Sequence, residues 1–355
     1  MRKEILREAD SDLYLKPITI TAYKAKRSEG GRHEFYSEGD YWWPNPTDTS
    51  GPYIRKDGET NPNNFVAHRL ALIRFSRVIG ALASAYKITG NKKYLVQAEK
   101  QLNAWFIDKD SKMNPNLQFA QAIKGLYTGR SIGVIDGVHL MEVAQGTLVM
   151  EKDMNSVLVK GVKDWFAQYI HWLMTSKYGK DEMKEKNNHG TCYVMQLACF
   201  AKLTGNKAVL DFCSNRFKTV LLPNQMAENG SFPLELARTK PYSYSIFNLD
   251  AMVTICQIIS TKKNDLWDYQ STDGKNIKKG IEYLYPFIAD KSKWTLKPDV
   301  MFWKQWPVAQ PALLFGAIHF DKANWFDTWA NLNHHPKNEE VIRNLPVKYP
   351  LIWIQ

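Results

Sequence analysis

The 355-residue chain is poor in the features that mark several large function classes. It has only four cysteines, Cys192, Cys199, Cys213 and Cys256. None forms a C-x-x-C pair and no Cys/His cluster has zinc spacing, so no redox dithiol and no metal centre is expected. Cys192 and Cys199 fall on one face of an expected helix and read as buried thiols rather than a disulfide. No apolar run reaches the length of a membrane span. The first ten residues, Met1 to Asp10, lack the apolar core of a signal peptide. The G-x-S-x-G elbow, the Walker loop, the Rossmann fingerprint and H-E-x-x-H are all missing. A glycoside hydrolase needs two opposed carboxylates. Asp40, Asp48, Asp57, Asp136, Glu228 and Glu235 are available, but no spacing singles out a pair. No low-complexity tract or linker divides the chain, so residues 1–355 are expected to form a single domain.

What the chain does have is positive charge and aromatic rings. Its formal net charge is +11. A basic surface raises the local concentration of polyanions, and charge alone leaves nucleic acid, sulfated glycan, polyuronate and membrane surface open. No recognised nucleic-acid-binding module accompanies the charge, so nucleic acid is not expected as a partner. Aromatic residues make up 13% of the chain, enough for rings on sugar faces as well as in the core, although the core claims most of any such set.

Residues 1–62 are rich in Gly, Pro, Asp and Ser and show little helical period. They are expected to be a loop-rich segment forming part of a cleft. Within it, Tyr41-Trp42-Trp43-Pro44-Asn45-Pro46 and the residues up to Pro52 are loop chemistry. From Asn63 the pattern turns helical: Phe65, Leu70, Leu72, Ile73, Phe75, Ile79, Leu82 and Ala85 recur near the helical period. This run closes at Gly90, a C-cap residue. A second helix is predicted from Lys93 to Phe106, and others over 117–128, 135–151, 154–176, 189–203, 206–221, 244–260, 274–288, 308–318 and 322–332. Ala85-Tyr86-Lys87-Ile88-Thr89-Gly90-Asn91-Lys92 is echoed by Phe200-Ala201-Lys202-Leu203-Thr204-Gly205-Asn206-Lys207, each joining two predicted helices through a glycine turn. That is the αα-hairpin repeated, although Gly-Asn turns are common in such hairpins. The fold class expected is all-α, an (α/α)n toroid or incomplete barrel of antiparallel helix hairpins with a cleft at one end.

Three stretches hold chemistry-bearing residues. Lys186-Asn187-Asn188-His189-Gly190-Thr191 stands before a predicted helix, where Asn188 serves equally as a plain N-cap and His189 as a structural hydrogen-bonding residue. Glu235, Arg238, Lys240, Tyr242 and Tyr244 place cations and phenols close together. The alternative there is a solvated loop with an Arg238–Glu235 ion pair and packed rings. Asn114-Pro115-Asn116-Leu117-Gln118-Phe119-Ala120-Gln121, with Gly129-Arg130-Ser131, offers amides and a guanidinium that suit hydroxyls and carboxylates as well as ordinary caps and turns.

Taken together and in order, these stretches resemble a known family. Gly39-Asp40-Tyr41-Trp42-Trp43-Pro44-Asn45-Pro46, Asn114 to Ala122, Gly129-Arg130, Asn187-Asn188-His189-Gly190, Leu234-Glu235-Leu236-Ala237-Arg238 and Tyr244-Ser245-Ile246-Phe247-Asn248-Leu249 resemble the bacterial alginate lyase superfamily with an (α/α) toroid catalytic domain, the Bacteroidetes-type enzymes above all. The resemblance runs from Tyr36 to beyond Trp303. It implies a polysaccharide lyase acting on a uronate polymer by β-elimination, with no cofactor and no metal. Asn188, His189, Arg238 and Tyr244 would be catalytic. Tyr242 is a rival to Tyr244, because in some members the Arg-to-Tyr interval is one residue longer. Tyr41, Trp42, Trp43, Gln118, Gln121, Arg130, Asn187, Glu235, Lys240 and Tyr242 would bind the acidic polysaccharide. The setting implied is periplasmic or extracellular.

In such a reaction the C5 proton leaves and the C4 oxygen is expelled, and a carboxylate that is already negative opposes the first step. Donors at Asn188, His189 and Arg238 would neutralise that carboxylate; one preorganised donor can be worth ~3 kcal/mol in the transition state. A tyrosine can move both protons if nearby cations, here Arg238 and Lys240, pull its pKa down from ~10. Lysis of glucuronan or a glycosaminoglycan would use the same residues. A non-catalytic glycan-binding protein is the alternative from another class.

Overall fold

The computed structural model describes residues 2–354. These group into two compact units. One holds the described residues up to Glu182, Cys199–Gly205 and the described residues from Lys348 on; the other holds Met183–Ala198 and Asn206–Val347. The chain passes from one to the other after residues 182, 198, 205 and 347, and the second passage lies inside a helix. No composition shift marks any of these points, which is why the sequence suggests a single domain.

In the first unit the order is α1 (Arg2–Asp12), β1 (Tyr36–Glu38), β2 (Trp42–Trp43), β3 (Ile54–Arg55), α2 (Ala67–Thr89), α3 (Lys93–Phe106), β4 (Phe119–Ala122), a 3-10 stretch (Ser131–His139), α4 (Leu140–Met150), α5 (Ser156–Thr175) and α6 (Lys177–Met183), the last residue of which belongs to the second unit. The α2–α3 hairpin turns at Gly90, whose φ of 67° only a glycine adopts without strain, and whose N–H bonds to Tyr86 O at 2.7 Å. Phe75 and Trp105 stack across that hairpin with centroids 4.6 Å apart. The sheet is minimal: β1 pairs parallel with β4, and β2 antiparallel with β3.

The second unit holds α7 (Asn188–Thr204) as far as Ala198 and continues with α8 (Lys207–Arg216), a π-helical turn (Phe217–Leu221), α9 (Leu222–Gln225), α10 (Pro233–Leu236), α11 (Pro241–Ile259), α12 (Ile277–Ala289), α13 (Pro311–Phe320), α14 (Ala323–Asn331) and α15 (Glu339–Arg343). Helix α11 is buried on every face except at Gln257, as expected for a helix without a polar stripe. Gly205, the second of the echoed glycines, has φ 68°. The fold is predominantly α-helical, built from helix hairpins with little sheet, the character of an (α/α) toroid.

Three expectations are corrected. Residues 2–12 form a helix inside the stretch expected to be loop. Its sequence is charged, and it is held by packing on α2, where Arg77 Nη1 donates to Glu8 Oε1 at 3.2 Å, and by Gln97 of α3, whose Nε2 donates to Asp12 O at 3.0 Å. The helix predicted over 117–128 is absent. Pairing with β1 draws 119–122 into a strand, and Gln121 and Gly125 take φ of 49° and 78°, which no α-helix accommodates. The helix predicted over 206–221 ends at Arg216 and widens into the π turn. All four cysteines are buried thiols. Among the described residues, no helix is long and apolar enough to cross a membrane.

Candidate active site

Of the two neighbouring asparagines at the start of α7, Asn187 does the capping. Its Oδ1 accepts the His189 N–H at 3.0 Å, and its main-chain O accepts Gly190 N–H at 3.1 Å. Asn188 is the first helical residue, and its side chain is used differently. Its Nδ2 donates to Glu235 Oε2 at 2.8 Å while its main-chain N–H donates to Glu235 Oε1 at 2.6 Å. A carboxylate only accepts, so this pairing fixes which end of the Asn188 amide faces Glu235. Gly190 is required here: a Cβ at that position would lie 2.1 Å from Glu185 O.

Glu235 sits on the single turn α10, started by Pro233, and the next turn brings Arg238 round, with its N–H on Glu235 O at 3.0 Å. Glu235 is 1% exposed. Burial raises its pKa above the usual carboxylate value, with the Asn188 hydrogen bonds and the neighbouring Arg238 and His189 side chains acting more weakly the other way. The half-buried Arg238 guanidinium lies 4.9 Å from the centre of the Tyr244 ring.

Tyr244 stands on the first turn of α11. Pro241 begins that helix, and Asp299 caps it by accepting Tyr242 N–H at 2.9 Å and Ser243 N–H at 3.1 Å. The helix therefore starts three residues before the predicted 244. Tyr244 keeps 8% of its surface exposed. Tyr242 is fully buried, with its hydroxyl donating to Phe287 O at 2.9 Å and its ring edge-on to Trp294 and Trp303. Lys240 is 2% exposed, and its Nζ lies 2.9 Å from Glu340 Oε1. Contact with a sugar is closed to both side chains, and so is it to Glu235. This corrects the reading of these three as substrate-binding residues.

The remaining expected residues lie in the first unit. Arg130, half-buried, donates from Nε to Gln121 O at 2.8 Å and holds its guanidinium carbon 5.7 Å from the Trp42 ring centre. Burial, followed by the nearby charge of Arg55, lowers its pKa to about 10, so it stays cationic at neutral pH. Gln121 is buried and donates to Asp136, which with Asp40 also faces Arg69. That network holds the β1–β4 pair together and gives Gln121 a structural task. Trp43 donates from Nε1 to Glu59 O at 2.9 Å, with Lys56 Nζ 5.0 Å from its ring centre. Tyr41 is half-buried and Gln118 exposed. No local sequence pattern announces Asp299, Glu340 or Gln225, because each acts on a partner far along the chain.

Among the described residues, Asp265, Asp268 and His319 have ligand atoms close enough to share a cation, but two of the three are exposed and no mechanistic residue adjoins them in sequence.

The chain is similar to known proteins along nearly its whole length. It is 33% identical to an alginate lyase from Bacteroides ovatus, covering 99% of this chain and 92% of that one with a TM-score of 0.84. Its fold is also that of alginate lyase A1-III from Sphingomonas species A1, at 14% identity, 100% and 94% coverage and a TM-score of 0.60. A histidine-to-alanine variant of A1-III in complex with a tetrasaccharide gives 14% identity, the same 100% and 94% coverage and a TM-score of 0.64. Comparison with curated proteins finds no match. The alginate lyase family model matches residues 19–294, more than three quarters of the sequence, and the chain belongs to this family of polysaccharide lyases.

Proposed function

We propose that the protein cleaves alginate, or a closely related uronate polymer, by β-elimination, with Asn188, His189, Arg238 and Tyr244 as the reacting group. The observations that support this most are the Arg238 guanidinium 4.9 Å from the centre of the Tyr244 ring and the Asn188 amide oriented by Glu235, a carboxylate that also feels Arg238 and His189. A uronate carboxylate entering there would take hydrogen bonds from the second Asn188 Nδ2–H, from His189 and from Arg238. With that charge neutralised, the electrons released from the C5–H bond can spread into the carboxyl group. Tyr244 takes the C5 proton, the C4–C5 double bond forms, the C4–O bond breaks, and the leaving oxygen receives a proton. In mannuronate the C5 proton and the C4 oxygen lie on one face, and Tyr244 can serve both as base and as acid. In guluronate they lie on opposite faces; there His189 takes the C5 proton in place of Tyr244, and the Tyr244 hydroxyl gives its proton to the leaving oxygen.

Tyr41, Trp42, Trp43, Gln118 and Arg130 are proposed to contact sugars, the rings through their apolar faces and Arg130 through carboxylates. A polymeric substrate does not cross a cell membrane unaided, so a periplasmic or extracellular location is proposed, to be checked by fractionating cells that make the native protein. The function is tested by incubation with polymannuronate, polyguluronate and glucuronan in parallel. A rise in ultraviolet absorbance from the unsaturated product is expected with at least one. Binding of polymer with no absorbance change for any of them contradicts the proposal and leaves a glycan-binding protein.

A further inference from the structure

The starts of α7 and α11 carry the reacting group, and both are tied to one buried side chain outside it. Gln225, the last residue of α9, is 4% exposed. Its Oε1 accepts Thr191 Oγ1–H at 2.8 Å and Asn248 Nδ2–H at 3.0 Å, and its Nε2 donates to Asn187 O at 3.1 Å. Asn187 is the residue that caps α7 immediately before Asn188 and His189, and Thr191 lies within the first turn of that helix. Asn248 follows Tyr244 by four residues, so the two share one face of α11. A π-helical turn leads directly into α9, a rare geometry that occurs frequently at functional sites.

We propose that Gln225 is a positioning residue for the elimination: a single amide sets the Asn188–His189 pair at the start of α7 against Tyr244 on α11. This rests on the lyase reading above. The three bonds demand an acceptor for two donors at one end and a donor for a carbonyl at the other; an amide supplies both whatever the pH, whereas a carboxyl does so only when protonated. All four side chains except the half-buried Asn187 are closed to water, so water does not replace a bond that is lost. A shift on the order of 1 Å between base and carboxylate clamp can cost about 100-fold in rate.

The replacements Gln225→Met and Gln225→Glu separate positioning from bulk packing. Methionine keeps the volume and loses all three bonds. Glutamate keeps the acceptor but turns an oxygen toward Asn187 O. This is repulsive when the carboxyl is ionised and is relieved when the carboxyl is protonated and can donate. Steady-state kinetics of the full chain on its preferred polyuronate, from about pH 5.5 to about pH 8.5, with melting temperature at each pH, read the difference. The methionine variant is expected to lose on the order of 100-fold in kcat with KM changed less than about 3-fold. The glutamate variant is expected to recover kcat as pH falls, giving a limb that the unmodified protein lacks. An active unmodified protein together with a glutamate variant of parallel pH profile overturns the inference. So does a methionine variant within about 2-fold of full kcat. If the unmodified protein makes no unsaturated product from any polyuronate, the function itself is overturned, and this inference with it.

Discussion

Asn187 and Asn188 are adjacent, identical in type and opposite in task. The first gives its side-chain oxygen to the helix; the second donates from both its main-chain and its side-chain nitrogen to Glu235. Sequence alone left Asn188 as a possible cap, because either asparagine satisfies the preference for that position. What decides between them is Glu235, which lies 47 residues away. The same carboxylate supplies a prediction. In Glu235→Gln one donor of Asn188 would meet an N–H₂ group or lose its partner, leaving the amide free to turn. Loss of about 10- to 100-fold in kcat is expected, with polymer binding less affected. Steady-state kinetics beside equilibrium binding check this, and an unchanged kcat contradicts the orienting role. Lys240 shows the other side of sequence reading. It stands two residues from Arg238 and reads as a second cation for the tyrosine, yet its ammonium is paired with Glu340 from α15, 100 residues on.

At the scale of elements, the sequence made the long helices legible. Apolar period locates α2, α3, α5, α7 and α12 to within a few residues, and the echoed Gly-Asn turns mark two hairpins. Short elements escape it. α9 and α10 are one turn each, too short for any period, and both hold residues on which the site depends, Gln225 and Glu235. Caps supplied from a distance escape it too: Asp299 caps α11, and Asp250 of α11 caps α13 by accepting the Ala312 N–H at 2.8 Å. Complete burial pushes the Asp250 pKa up to about 8, with the Ala312 bond acting weakly the other way. The folded protein therefore holds a proton that the unfolded chain releases above ~4. The stability this contributes is complete below the unfolded value and is lost as pH rises through about 8. Asp250→Asn keeps an acceptor for Ala312 and removes the titration. The melting temperature of the variant relative to the unmodified protein is expected to rise steadily from about pH 4 to about pH 8 and then level off. A difference independent of pH over that range contradicts the assignment.

For the whole molecule, the all-α class and the hairpin construction could be read from the helical runs and the scarcity of strand patterns. The grouping into two units could not, because the chain passes between them at points with no change of composition. The net charge of +11 belongs to this scale as well. Long-range attraction of an anionic polymer weakens as salt shortens the Debye length from ~30 Å at 0.01 M to ~8 Å at 0.15 M. KM for a polyuronate is therefore expected to rise severalfold over that range while kcat holds. A salt-independent KM would assign recognition to short-range contacts alone.

The central claim concerns which bond is made and which is broken, and mass spectrometry of the products reads it directly. Incubated with its preferred polyuronate, the protein is expected to release oligosaccharides that carry a C4–C5 double bond at their new non-reducing end and are lighter by one water than the corresponding hydrolysis products, and Tyr244→Phe is expected to release none. Products carrying the added water, or unsaturated products from Tyr244→Phe at the unmodified rate, would contradict it.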